Sequence, residues 1–112
     1  MEFHILMVRF QEPIINEYRS SLDALLGEKL DSVILYGSRA RGDARDDSDI
    51  DLLCVIKGDF THGDLIKQTS ELTSRISLKY GVAISRTFVS LKDMQNRNNP
   101  FLMNIRREGV AV

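Results

Sequence analysis

At 112 residues and 12.7 kDa the chain can bury one modest core and is read as a single domain, residues 1–112. Apolar residues make up 43% and charged residues 28%, so the chain is expected to bury one core and stay soluble. Fifteen basic against sixteen acidic residues, formal net charge −1, exclude a protein that coats nucleic acid through bulk charge, so no direct nucleic-acid binding is expected.

The first apolar run, Phe3 to Val8, is broken by His4 and is far too short to span a bilayer. A cytoplasmic location is expected, and nothing in the argument needs the residues before Met7, so Met1 and Met7 serve equally as the start. Glu12-Pro13 opens a segment in which Ile14, Ile15, Tyr18, Leu22, Leu25 and Leu26 recur at three-to-four spacing; this predicts an amphipathic helix with proline in its first turn, ending near Gly27. Val33-Ile34-Leu35-Tyr36 predicts a short strand stopped by Gly37. Residues 38–48 are polar and read as a turn, with a helical turn starting at Ser38. Asp49 to Ile56 predicts a second strand, on which Asp49, Asp51, Leu53 and Val55 share one face and Cys54 takes the other. That one cysteine has no disulfide partner and is expected to be a buried structural thiol.

A second long helix is predicted from about Asp64 to Tyr80, burying Leu65, Ile66, Leu72 and Ile76, with Gly81 as its stop. Val82 to Val89 is rich in β-branched residues and predicts a third strand; the tail from Leu91 to Arg107 predicts one or two short helices, Pro100 opening the last and Gly109 ending it. The fold class is therefore α/β (α+β), a small mixed sheet with flanking helices.

Charge is balanced in total but not along the chain. Residues 1–60 carry seven basic and twelve acidic side chains, and residues 61–112 eight and four. Such a division fits a cation near the first half and an anion near the second, or simply complementary surfaces of one fold.

The chemistry concentrates between Tyr36 and Leu52. Asp49 and Asp51, two apart on a strand, carry carboxylates only several ångströms from each other. Two such charges repel, and one titrates high unless a cation sits between them. A hard cation such as Mg2+ prefers a few carboxylates completed by phosphate oxygens and water. Gly37 and Ser38, at a strand end and a helix start, offer backbone N–H groups and a hydroxyl to an anion; Arg39, Arg41 and Arg45 are candidate phosphate partners. Ser48 reads as a turn cap, and Asp43, Asp46 and Asp47 as a solvated loop, of which Asp46 and Asp47 can also draw in the cation. His4 and His62 stand alone, without a spaced metal-binding or catalytic partner.

Gly37-Ser38, ten residues, then Asp49-x-Asp51 resembles the signature of the DNA polymerase β-like nucleotidyltransferase superfamily. The fuller string GSRARG…SDIDLL is similar to its minimal branch, the MNT domain proteins usually encoded beside a HEPN partner. The resemblance implies the nucleotidyltransferase core fold. It implies that Gly37 and Ser38 hold the triphosphate of the nucleotide and that Asp49 and Asp51 hold Mg2+; Arg39 and Arg41 either join in nucleotide binding or offset the neighbouring aspartates. It also implies that Ser38, Asp49 and Asp51 carry catalysis: in-line attack on the α-phosphorus of ATP, with pyrophosphate leaving. Similar antitoxin proteins transfer AMP to a tyrosine hydroxyl of a HEPN ribonuclease toxin. The superfamily places a third carboxylate on the next core strand, yet Val82 to Val89 contains none; Ser85 or Arg86 falls at that place, with Glu71 and Asp93 as substitutes from elsewhere. The alternative is therefore a catalytically weak or inactive interaction protein that neutralises its partner by covering it. A stand-alone transferase acting on a small molecule is a third possibility, disfavoured because no helical acceptor domain is visible; self-association is left open.

Overall fold

The computed structural model describes residues 2–112 apart from Asp46, and side chains from residue 11 onward. Helix α1 (Glu2–Leu26) and a single 3-10 turn lead into strand β1 (Leu30–Tyr36). A four-residue helix α2 (Ser38–Arg41) and a loop carry the chain to strand β2 (Ile50–Ile56). Helix α3 (His62–Tyr80), strand β3 (Ile84–Ser90), helices α4 (Leu91–Asn96) and α5 (Pro100–Glu108) and the two-residue strand β4 (Val110–Ala111) follow.

The four strands form one mixed sheet in the order β3-β2-β1-β4. Strand β1 runs antiparallel to β2 and to β4, whereas β2 and β3 are parallel, joined by the α3 crossover that a parallel pair requires. Alternation then divides the side chains between two faces. Leu52, Cys54 and Ile56 of β2 join Val33 and Leu35 of β1 in the main core beneath α1 and α3, with Tyr18, Leu22 and Ile76 fully buried. Leu53 turns the other way and packs with Leu102 and Ile105 of α5 and with Ile34, Tyr36, Val89 and Met94. Asp51, two residues before Leu53, belongs to that second face.

Most predicted elements are present, with informative differences. Helix α1 reaches back to Glu2, so Pro13 lies within it rather than in its first turn. Proline removes one backbone donor, but the helix continues through it because Ile14, Ile15, Tyr18, Leu22 and Leu26 bury a continuous stripe. Leu25 and Ile66, predicted as core, are 46% and 40% exposed; each sits one residue from a buried leucine, about 100° round the helix, and so faces water. Strand β4 was not anticipated. It adds the chain end to the edge of β1, where Val112 N–H donates to the Val33 carbonyl and the Val112 carbonyl accepts from Arg19. A side chain at Gly109 would strike the Ile105 carbonyl and Ile34, so only glycine lets the chain turn so tightly from α5 into β4. Of the described residues, no helix is long and apolar enough to cross a membrane.

Candidate active site

Strand β1 ends at Tyr36, which pairs in register with Asp51 of β2, so antiparallel pairing brings together residues fifteen apart in sequence. Gly37 then takes φ 76° and ψ −156°, a combination open to glycine and costly for other residues. A Cβ built on Gly37 would lie 2.5 Å from Asp51 Oδ2. The carboxylate of the second half of the motif therefore rests directly on the backbone of the first. Ser38, half-buried, opens α2, whose first turn closes when the Gly37 carbonyl accepts from the Ala40 and Arg41 N–H groups.

The loop from α2 to β2 is tied at two points. Ser48 Oγ accepts from Arg45 N–H at 2.8 Å while Ser48 N–H donates to the Arg45 carbonyl at 3.0 Å, the turn-capping role expected of it. Arg39 is only 3% exposed and donates through Nε and a terminal nitrogen to the Ser48 carbonyl at 3.0 and 2.6 Å. Arg39, expected to bind nucleotide or to offset neighbouring aspartates, points inward and fixes the residue before Asp49. Arg41 remains at the surface, with Nε 3.3 Å from Asp43 and a terminal nitrogen 3.7 Å from Glu108. Asp46 lies outside the described residues, and Asp47 is exposed in the loop.

Electrostatics agree with the expected repulsion. Burial is the main cause that pushes the Asp51 carboxyl above the ordinary carboxylate range, and the charge of exposed Asp49 adds to it; Arg39 and Arg41 pull the other way. A divalent cation is the kind of group this pair suits, because it would offset both the burial cost and the repulsion. On the opposite face burial pushes the Cys54 thiol up to about 12, as befits an inert core residue.

The two β3 residues expected at the place of a third acid, Ser85 and Arg86, face opposite ways. Ser85 pairs with Asp51 and is exposed, on the parallel strand directly alongside. Arg86 points to the opposite face, where it donates to Thr69 Oγ1, the Ile66 carbonyl and Ser70 Oγ of α3, and so cannot hold a triphosphate at this site. Glu71 lines a cleft between α1 and α3 on that same far side, and Asp93 sits in the first turn of α4. Among the described residues no group of three or more His, Cys, Asp or Glu side chains is placed to hold a metal ion. His62, read as isolated, bonds the Phe88 carbonyl at 3.1 Å.

Two features escaped the sequence. A cavity of about 250 Å3 beside Gly37 and Arg41 is lined by Tyr36, Phe101 and, at the end of α5, Glu108. Tyr36 and Phe101 meet edge to face, with ring centroids 5.5 Å apart. No local signal links residues so far apart in the chain; an acid in the last turn of α5, against the helix dipole, is the one hint that Glu108 has a partner elsewhere.

Residues 22–112 match the polymerase beta nucleotidyltransferase family. Two proteins of Methanocaldococcus jannaschii are similar in sequence. One, named "Putative protein adenylyltransferase MJ0141", is 43% identical over 72 residues, covering 64% of this chain and 72% of its own length. The other, "Putative protein adenylyltransferase MJ0604", is 34% identical over 101 residues, 88% of this chain and 94% of its own. Among solved structures, a protein described as a "putative nucleotidyltransferase" from Sulfolobus solfataricus superposes with a TM-score of 0.59 at 26% identity, covering 98% of this chain and 82% of its own. A mutant form of the toxin–antitoxin MntA-HpeT shares the fold, with a TM-score of 0.58 at 16% identity over 86% of this chain and 69% of its own. With the motif halves joined at Gly37 and Asp51 and the family match running from Leu22 to the chain end, the chain belongs to the polymerase beta nucleotidyltransferase family.

Proposed function

We propose that the chain is a Mg2+-dependent nucleotidyltransferase that acts as an antitoxin, moving AMP from ATP to a tyrosine hydroxyl of a HEPN-type ribonuclease toxin in the cytoplasm. The observation that carries this reading is the seating of the Asp51 carboxylate on Gly37, which places a metal-suited acid pair beside an anion-suited turn. The names of the M. jannaschii relatives support the protein-modifying chemistry, and the toxin–antitoxin neighbour supports the kind of partner.

In this reading Asp49 and Asp51 hold the ion, which when bound neutralises charge on the nucleotide's phosphates. Gly37 and Ser38 face the β- and γ-phosphates, and Arg41, released from Asp43 and Glu108, pairs with them bidentately. Arg39 acts through Ser48, holding the Asp49 approach rigid. The tyrosine oxygen forms a bond to the α-phosphorus, the bond from that phosphorus to the bridging oxygen breaks, and pyrophosphate departs on the Ser38 side. The acceptor proton has no acid on β3 to receive it and passes to solvent or to a group of the partner.

Ser85 in place of a carboxylate supports a second reading, a protein that neutralises the toxin by covering it. One experiment tests both. Incubating the chain with its partner, ATP and Mg2+ should make the partner heavier by one or more AMP units, and D49N/D51N should abolish both the adduct and toxin neutralisation. An intact complex without an adduct, or a double variant that still neutralises, supports the covering reading instead.

A further inference from the structure

We propose that Phe101 is the platform on which the base of the nucleotide stacks, and that the cavity beyond it receives the nucleoside. This rests on the nucleotidyl-transfer reading of the site above and adds where the rest of the substrate goes. Phe101 forms a wall shared by two cavities. One, of about 250 Å3, contains Gly37 and Arg41, the candidate phosphate groups. The other, of about 630 Å3, extends along β3 past Thr87 towards Phe60 and Asp93.

The position of Phe101 is not explained by packing. Its neighbours on α5, Leu102 and Ile105, are 2% and 3% exposed, whereas Phe101 stands 42% exposed at the second residue of the helix. It is nevertheless held firmly. Asn99 caps the helix by accepting from Leu102 N–H at 2.8 Å, and Tyr36 braces the ring edge to face. Tyr36 is itself 3.4 Å from Thr87 through the two hydroxyls. A fixed aromatic ring with an open surface beside a phosphate site suits a planar base, which stacks on it at little ordering cost.

Reach and chemistry agree. Thr87 lies two residues beyond Ser85, the partner of Asp51 across the sheet, so the cavity begins about 7 Å along β3 from the acid pair. That is on the order of the span of one ribose. Inside, Phe60 and His62 form a second aromatic wall, their rings 5.1 Å apart. The Asp93 carboxylate, with one oxygen 3.7 Å from an Arg97 terminal nitrogen, keeps lone pairs to accept from an exocyclic amino group. Asn99, whose carbonyl oxygen is committed to the helix cap, keeps its amide nitrogen as a donor to a ring nitrogen. The class indicated is a nucleotide whose base carries an amino group.

The test compares MgATP with magnesium tripolyphosphate, which has the phosphates without the nucleoside, by calorimetry on the full chain. The wild type should bind ATP more tightly than tripolyphosphate. F101A should lose about tenfold or more in ATP affinity with tripolyphosphate binding unchanged, and F101W should keep ATP affinity. An unchanged ATP affinity in F101A, or an equal loss for both ligands, overturns the stacking role while leaving the nucleotidyl-transfer reading intact. A wild-type chain that binds neither ligand overturns both.

Discussion

The two faces of the sheet are built to different standards. Beneath α1 and α3 the core side chains interlock almost without exposure, and the buried hydroxyls are paired: the Tyr18 hydroxyl lies 2.7 Å from Thr73 Oγ1, which in turn donates to the Thr69 carbonyl. Beneath α4 and α5 the buried cluster is Leu53, Leu102 and Ile105; around it lie an exposed phenylalanine and a pair of mutually repelling carboxylates. One face supplies folding free energy, and the other spends part of it on holding charge and apolar surface in the open. The lesson is that the acid pair tolerates its repulsion because β2 is anchored from behind by Ile50, Leu52 and Cys54.

The largest expected difference between the two faces is in stability. Leu22→Ala in the main core should cost about 2–5 kcal/mol in urea unfolding. Met103→Ser on the exposed side of α5 should stay within about 0.5 kcal/mol. Equal losses would mean that the second face carries as much of the fold as the first.

Next in size is Gly37→Ala, which joins the two faces' logic at one atom. The added methyl would meet Asp51 Oδ2 at 2.5 Å in a backbone conformation that already disfavours alanine. A cost of about 1–3 kcal/mol is expected, together with loss of most Mg2+-dependent nucleotide binding. Unaltered binding with normal stability would show that Asp51 is free to move away, and would remove the contact on which the proposed function rests.

The same contrast explains what could be read from the sequence. Regular periodicity reports one-sided burial, so α1, α3 and the three long strands were legible, and the Gly37–Ser38 and Asp49–Asp51 pairs were legible because their spacing is local. Leu25 and Ile66 were misassigned because apolar identity does not say on which side of the stripe a residue falls. The burial of Arg39 and its bonds to Ser48 were not legible, because a basic residue beside a phosphate-suited turn carries no local sign of facing inward. Strand β4, Glu108 and the Phe101 wall depend on contacts from the end of the chain back to β1 and α2, and no local pattern encodes these.

Asp51 sharpens the electrostatic side. Its carboxyl titrates above the ordinary value in the fold, so the native state holds the proton more tightly than the unfolded chain does. Stability of the metal-free protein therefore falls as pH rises through the window between the ordinary and the raised value. Asp51→Asn should be the more thermostable form at neutral pH without metal, with the gap closing on acidification. Saturating Mg2+ and ATP should narrow or reverse it, since they stabilise only the form that binds them. A variant less stable than wild type in the metal-free state would mean that Asp51 is favourably paired.

The smallest effect belongs to the well-paired face and has the opposite sign. Glu17 on α1 accepts from Lys79 Nζ at 2.7 Å and from the Tyr80 hydroxyl at 2.9 Å, linking α1 to the end of α3. Those two bonds hold its carboxyl below the ordinary value of 4.5, the lysine being the larger cause. The contribution of Glu17 is therefore complete above that value and is lost as pH falls through the depressed one. Because the pair sits at the surface and is screened by salt, Glu17→Gln should lower the melting temperature only slightly at neutral pH. The wild-type advantage should shrink below about pH 4 and with added salt. If Glu17→Gln were neutral at every pH, helix–helix docking on this face would owe nothing to charge, and burial of Tyr18, Leu22 and Ile76 would account for it alone.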